Sequence, residues 1–131
     1  MSARILVVED EQIVAEDLSR KLRRIGHQVV GTAATGEDAA RLAVELRPDL
    51  VLMDIRLRGR MDGREAARII QRMTGAPVVY ITAYSDVFLR NPEPTQPPGL
   101  CLSKPFSFHQ LKTAVEVALA AGGPDTAPVL L

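Results

Sequence analysis

The sequence predicts a three-layer α/β sandwich built around five parallel strands. Short apolar runs of strand length alternate along the chain with segments whose apolar residues recur at helical spacing. Aromatic residues make up only 4% of the chain against 47% hydrophobic residues, so Val, Ile, Leu and Ala must fill the core. Strands without polar residues are buried on both faces, which places helices above and below the sheet.

The first three elements form a strand, a helix and a second strand. Residues 5–8 are entirely apolar and stop at three consecutive acidic residues that begin at Glu9. Residues 12–25 carry apolar side chains three or four positions apart, and Gly26 follows as a helix-ending residue. Residues 28–33 are mostly β-branched and apolar, which is typical of a strand.

The second helix leads into the strand that organises the chain. Thr35 is placed to cap a helix over residues 36–47, and Pro48 stops this helix. The run 50–53 is apolar and ends on a single carboxylate, Asp54. This carboxylate therefore follows the carboxyl end of a buried strand, where open α/β sheets bind their ligands.

A third helix and a fourth strand continue the alternation. Asp62 leads into a helix that runs to about residue 74, and residues 78–81 form a strand that ends at Thr82. The inward face of this helix is predicted to consist of Ala66, Ile69, Ile70 and Met73.

The alternation breaks after the fourth strand. Residues 91–99 contain four prolines, each of which costs a helix interior roughly 3 kcal/mol. At most, residues 85–90 form a turn or two, so we expect an irregular Pro-rich segment in place of most of the fourth crossover helix. Residues 100–103 then form a fifth strand, and Ser107 caps a last helix that ends near residue 121.

Length and charge limit the range of functions. A chain of 131 residues is long enough for one domain with a real core, and its formal net charge of zero gives no bulk attraction for nucleic acid or anionic membranes. The single cysteine excludes an intrachain disulfide and a cysteine-rich zinc site, and no run reaches the length of a membrane span. We expect a soluble cytoplasmic protein, with a domain over residues 1–121 and a flexible tail over 122–131. Both histidines, His27 and His109, are expected at the surface or at helix ends.

Polar side chains follow four of the five predicted strands. Glu9 and Asp10 follow the first strand, Asp54 the third, Thr82 the fourth and Lys104 the fifth. Three carboxylates at one edge of the sheet repel one another and need a cation, and hard oxygen ligands of this kind suit Mg²⁺, which shares its shell with phosphate. The hydroxyl and the ammonium opposite the carboxylates suit a phosphoryl group.

Five short motifs stand in order along residues 4–121. They are Val7-Val8-Glu9-Asp10-Glu11, the run from Leu50 to Asp54, Met61-Asp62-Gly63, Thr82-Ala83 and Lys104-Pro105-Phe106. Together, in this order and spacing, they resemble the receiver domain of two-component response regulators. The resemblance implies the flavodoxin-like strand order 2-1-3-4-5.

The resemblance also implies a role for the acidic residues. Asp54 is the expected phosphoacceptor, with its carboxylate as the nucleophile. Asp10 and Asp54 are expected to bind Mg²⁺ directly, together with the backbone carbonyl of Arg56. Glu9 is expected to act mainly through a metal-bound water.

The response to phosphorylation is expected to depend on residues near the last two strands. Lys104 pairs with the phosphoryl oxygens in the family pattern, Thr82 swings toward them, and the bond between Lys104 and Pro105 is cis. The family usually carries Tyr or Phe three positions before the lysine, but Cys101 stands there and is too small to fill the same space. With the Pro-rich segment, this departure leads us to expect signalling through the first and last helices.

The expected function is a phosphorylation-dependent signalling switch. The implied phosphodonor is a histidine kinase or a histidine phosphotransfer protein, and the implied output is contact with a downstream protein target, with a homodimer left open. The only catalysis implied is Mg²⁺-dependent self-phosphorylation and self-dephosphorylation at Asp54. No direct contact with nucleic acid or membrane is expected.

Two alternative functions stay open. A phosphate-independent binding module with a receiver fold is favoured by Cys101 and the prolines, and is opposed by the intact acidic set and Lys104. A true enzyme, such as a phosphatase or a nucleotide-binding protein, is opposed by the absence of a glycine-rich phosphate loop from the sequence. It is also opposed by Arg56, which occupies the place of the second acid in an Asp-x-Asp motif.

Overall fold

Six strands and four helices make up the described part of the molecule. The strands are β1 (Arg4–Val8), β2 (Gln28–Ala33), β3 (Leu50–Asp54), β4 (Val78–Thr82), β5 (Leu100–Ser103) and β6 (Val129–Leu130). The helices are α1 (Gln12–Ile25), α2 (Gly36–Leu46), α3 (Gly63–Thr74) and α4 (Phe108–Ala121). This computed structural model describes residues 2–57, 59–82, 100–121 and 129–130. Among these, no helix is both long and apolar enough to cross a membrane.

All strands of the sheet are parallel and follow the order β2-β1-β3-β4-β5-β6. The predicted fold class and the order of the first five strands are therefore confirmed. The sixth strand belongs to the stretch predicted as a tail, and it adds two residues to the edge of the sheet beside β5. The irregular Pro-rich segment was predicted within residues 83–99, which lie outside the described residues, and so it stays a prediction.

The helices begin and end at the residues that the sequence marks. Thr35 Oγ1 accepts a hydrogen bond from the backbone N–H of Asp38 at 3.1 Å, and caps α2 as predicted. Gly26 ends α1 at a φ of 115°, in the left-handed region that favours glycine. The bond between Lys104 and Pro105 is cis.

Two apolar cores lie on opposite faces of the sheet because successive residues of each strand point to opposite sides. The core beneath α1 and α4 includes Ile5, Val7, Leu18, Leu22, Leu50, Leu52, Leu111 and Val115. The core beneath α2 and α3 includes Leu6, Val8, Ala39, Ala43, Val51, Met53, Ala66, Ala67 and Ile70. This arrangement gives the three predicted layers.

The predicted inward face of α3 is partly wrong. Met73 is 55% exposed, whereas Ala67 and Gln71 are buried with Ile70. At about 100° per residue, the buried face is centred between Ala67 and Ile70, and Met73 lies roughly 90° away from it. Met73 is also in the last turn of α3. There, its backbone carbonyl accepts a hydrogen bond from Arg47 at 3.2 Å.

His27 lies at the end of α1, one of its two expected positions, but it is not at the surface. His27 is only 7% exposed, and its Nδ1 accepts a hydrogen bond from the backbone N–H of Ala3 at 3.0 Å. The carbonyl of Ala3 in turn accepts a hydrogen bond from Gln28 at 2.9 Å. These two bonds join the end of α1 to the start of β1. His109 is exposed on α4, as expected.

Candidate metal and phosphoryl site

Three carboxylates meet at the carboxyl ends of β1 and β3. Val8 pairs with Met53 in the sheet register, so Glu9 and Asp54 follow next to each other. One carboxylate oxygen from each of Glu9, Asp10 and Asp54 lies within 4.8 Å of the others. Glu9 and Asp54 are buried and Asp10 is half-buried. The structure therefore brings these three predicted residues together.

The ammonium of Lys104 reaches this cluster from the end of β5. Its Nζ lies 3.2 Å from Glu9 Oε1 and 3.4 Å from Asp54 Oδ2. Burial lowers the pKa of Lys104, but the charges of Asp54 and Glu9 outweigh burial and leave the pKa above its usual value. Lys104 is therefore a cation at neutral pH, and it balances part of the negative charge.

Burial affects the carboxyl of Glu9. Burial raises the pKa of Glu9 to about 7, although the backbone N–H of Glu11, which donates to Glu9 Oε2 at 3.1 Å, acts in the opposite direction. Hydrogen bonding to Asp10 and the charge of Asp54 raise this pKa further. A carboxyl of this kind gains from a divalent cation that favours its ionised form. The donor set thus fits Mg²⁺, which prefers a few carboxylates at an open site.

Hydrogen bonds hold both ends of the loop that joins β3 to α3. The N–H of Arg56 donates to Asp54 Oδ1 at 3.0 Å, and the N–H of Gly63 donates to the carbonyl of Ile55 at 2.9 Å. A Cβ atom on Gly63 would collide with the carbonyl oxygen of Asp54, so a side chain at this position would push α3 away from β3. The side chain of Arg56 is exposed.

Thr82 lies at the same edge of the sheet, at the end of β4. Its neighbour Ile81 pairs with Asp54 across β3 and β4. The carbonyl of Thr82 accepts a hydrogen bond from the backbone N–H of Lys104 at 2.9 Å. Thr82 is buried. The predicted switch residue is thereby joined through the backbone to the predicted phosphoryl-binding lysine.

Tyr80 is a residue of this region that the sequence did not single out. It pairs with Cys101 across β4 and β5, and both side chains are buried in the core beneath α2 and α3. Burial raises the pKa of the Tyr80 hydroxyl and raises the pKa of the Cys101 thiol to about 11. An aromatic ring therefore stands one strand away from the position that Cys101 occupies.

Known proteins are similar to this chain in sequence and in structure. The family model described as response regulator receiver domain matches residues 5–116. The chain belongs to this family. The chain is therefore a receiver domain, as the sequence motifs led us to expect.

Two curated relatives of this receiver domain are regulators. It is 38% identical over 117 residues to Transcriptional regulatory protein PdtaR of Mycobacterium tuberculosis, a match that covers 89% of this chain and 57% of the relative. It is 35% identical over 120 residues to Phyllosphere-induced regulator PhyR of Methylorubrum extorquens, covering 91% of this chain and 44% of the relative. The chain spans about half the length of these two relatives.

Solved structures also match this receiver domain. The solution NMR structure of the Erythrobacter litoralis PhyR response regulator REC domain has a TM-score of 0.79 and 34% sequence identity, and the match covers 92% of both chains. The crystal structure of the response regulator PhyR from Brucella abortus has a TM-score of 0.80 and 33% identity, covering 92% of this chain and 49% of that one.

Proposed function

We propose that this receiver domain is a phosphorylation-dependent signalling switch that accepts a phosphoryl group on Asp54. The observation that carries the proposal is the Lys104 ammonium, 3.4 Å from Asp54 and 3.2 Å from Glu9, beside three clustered carboxylates. Phosphoryl transfer depends mainly on positioning and on neutralising charge. This edge of the sheet supplies a buried nucleophile, a fixed cation and acidic groups for a metal ion.

Mg²⁺ is the cofactor that these residues fit. Asp10, Asp54 and the backbone carbonyl of Arg56 would bind the ion directly, and Glu9 would act through a water. When bound, the ion would neutralise negative charge on the carboxylates and on the incoming phosphoryl group.

The residues of the chain orient the acceptor. Asp54 Oδ1 accepts from the Arg56 N–H and Oδ2 faces Lys104, so both carboxylate oxygens are held. An oxygen of Asp54 attacks the phosphorus of a phosphohistidine donor. An O–P bond forms, the P–N bond breaks, and its electron pair stays on the imidazole, which takes up a proton from water. Lys104 then pairs with the phosphoryl oxygens, and the Thr82 hydroxyl donates a hydrogen bond to them.

The proposed partners follow from this chemistry. The phosphodonor is a histidine kinase or a histidine phosphotransfer protein in the cytoplasm, and the output is contact with a downstream protein target rather than with nucleic acid or membrane. The family match and the two regulator relatives support a signalling role of this kind. The only catalysis proposed for the chain is transfer to Asp54 and hydrolysis of the acyl phosphate.

Intact mass after incubation with acetyl phosphate and Mg²⁺ tests the proposed function. We expect one phosphoryl adduct on the parent protein and none on Asp54→Asn, and chelation of Mg²⁺ should abolish the adduct. Asp38→Asn is the matched control, because Asp38 is exposed on α2 and should leave the adduct unchanged. A folded parent protein that binds Mg²⁺ but forms no adduct would instead favour the phosphate-independent binding module.

A further inference from the structure

Glu37 of α2 contacts the loop that follows Asp54. Its Oε1 accepts a hydrogen bond from the backbone N–H of Met61 at 3.2 Å. A Cβ atom built on Gly59 would lie 3.2 Å from Glu37 Oε2, so the loop backbone passes close to the same carboxylate. Gly59 has a φ of 100°, a conformation that glycine adopts without strain. One side chain of a neighbouring helix therefore bonds to the loop at Met61 and lies close to its backbone at Gly59.

The start of α2 keeps Glu37 in place. The Thr35 cap fixes the first turn, and the free N–H groups of that turn favour a negative charge. The loop also packs on this turn, because a Cβ atom on Gly36 would lie 3.0 Å from Cβ and Cγ of Met61. The carboxylate of Glu37 thus reaches the loop from a capped helical turn.

The same loop determines the geometry of the phosphorylation site. It begins with the Arg56 N–H bonded to Asp54 Oδ1, and it ends at Gly63, which is bonded to the carbonyl of Ile55. The contact with Glu37 lies between these two ends. A shift of the loop at Met61 would be transmitted to the backbone of Arg56 and to the orientation of the Asp54 carboxylate.

We propose that Glu37 is a positioning residue for the phosphorylation site. It is not among the residues proposed to hold the phosphoryl group or the metal ion. Through its hydrogen bond with Met61, it holds the loop in the form that presents the Arg56 carbonyl and the Asp54 carboxylate. The link to metal binding and phosphorylation rests on the proposed function, whereas the link to loop geometry does not.

Amide hydrogen exchange in the metal-free protein tests the loop geometry. In Glu37→Ala, we expect the Met61 amide to exchange about tenfold faster, because its acceptor is gone. Glu37→Gln keeps a side-chain carbonyl at the same reach, and it should restore most of the protection. The matched control is Asp38→Ala, which removes a charge from the same turn. The Asp38 side chain pairs with Arg41 at 3.4 Å.

Mg²⁺ affinity and the rate of phosphorylation by acetyl phosphate test the consequence for the site. We expect Glu37→Ala to bind Mg²⁺ about three- to tenfold more weakly and to slow phosphorylation by a similar factor. Glu37→Gln should lie close to the parent protein, and Asp38→Ala within about twofold of it.

The outcomes separate this proposal from the proposed function. If Glu37→Ala and Asp38→Ala give the same Met61 exchange and the same Mg²⁺ affinity, Glu37 does not position the loop. If Glu37→Gln behaves like Glu37→Ala, the hydrogen bond is not what matters. A parent protein that takes up neither Mg²⁺ nor phosphate contradicts the proposed function, while Met61 exchange still decides whether Glu37 holds the loop.

Discussion

At the scale of single residues, the ammonium group of Lys104 forms ion pairs with two carboxylates, those of Glu9 and Asp54. The side chain of Lys104 is 30% exposed, while those of Glu9 and Asp54 are 1% and 8% exposed. Removing one member of such a group leaves the remaining charges poorly compensated. Lys104 therefore contributes to folding as well as to the proposed chemistry.

Lys104→Met should destabilise the metal-free protein. At pH 8, we expect its free energy of unfolding to fall by about 1–3 kcal/mol, because Glu9 and Asp54 lose their cation in a largely buried place. Urea unfolding measures the loss, with Lys112→Met as a control on the exposed face of α4. Added Mg²⁺ should narrow the gap between variant and parent. Equal stability of the two variants without metal would contradict this account.

The sequence predicted the residues of the site that stand at strand ends. Glu9, Asp54 and Lys104 meet because parallel strands bring their carboxyl ends to one edge, a rule that needs no side-chain detail. Tyr80 and Glu37 were missed for a physical reason. The first depends on the register between two strands, and the second depends on how a loop packs on a neighbouring helix. Local periodicity carries neither kind of information.

At the scale of elements, α3 shows where a periodic pattern is ambiguous. Ile70 and Met73 are three positions apart, so both lie on the apolar stripe that the sequence predicts. In the structure, Ala66 and Ala67 are fully buried with Ile70, whereas Met73 lies at the margin of this buried face and is 55% exposed. The cap of α2, Thr35, was predictable because a cap is a local feature.

Truncation of the two apolar residues of α3 should give unequal losses of stability. We expect Ile70→Ala to lower the free energy of unfolding by about 2–4 kcal/mol, because it leaves a cavity in a buried core. Met73→Ala should change it by about 0.5 kcal/mol or less, because Met73 is 55% exposed. Urea unfolding of both variants makes the comparison. Similar losses of stability in the two variants would indicate that Met73 packs against the core, as the sequence predicted.

At the scale of the whole molecule, His27 joins the end of α1 to the start of β1, at the end of the sheet opposite the candidate site. Its Nδ1 accepts the Ala3 N–H, so a proton on Nδ1 would break this bond. Burial lowers the pKa of His27, and the charge of Glu116 on α4 partly opposes this effect. The sequence predicted the layers around this end but not the histidine, because an isolated His shows no pattern.

The pKa of His27 should make global stability depend on pH. The unfolded chain takes up a proton near pH 6.5, whereas the folded protein resists protonation until a lower pH. The contribution of His27 is therefore present above about pH 6.5 and is lost as the pH falls toward the folded pKa. Between pH 7.5 and 5.5, the parent should lose stability more steeply than His27→Asn, which keeps an acceptor near Nδ1.

Urea unfolding at several pH values within this range checks the prediction. The exposed histidine provides the control, and His109→Asn should follow the parent. A parent and a His27→Asn variant with the same pH slope would show that the histidine is not responsible. Taking the difference between variants cancels the titration of the acidic site, which is common to all three proteins.

Because Cys101 is buried, labelling of its thiol can report local opening of the structure around β5. This cysteine is the only one in the sequence, the residue is 6% exposed, and the pKa of its thiol is raised to about 11. A thiol reagent will therefore react only when β5 separates from its neighbours, and the labelling rate counts those excursions. Cys101 lies three residues before Lys104. Comparing its labelling rate with and without acetyl phosphate would therefore show whether phosphorylation makes β5, the strand that leads to the lysine, open more or less often.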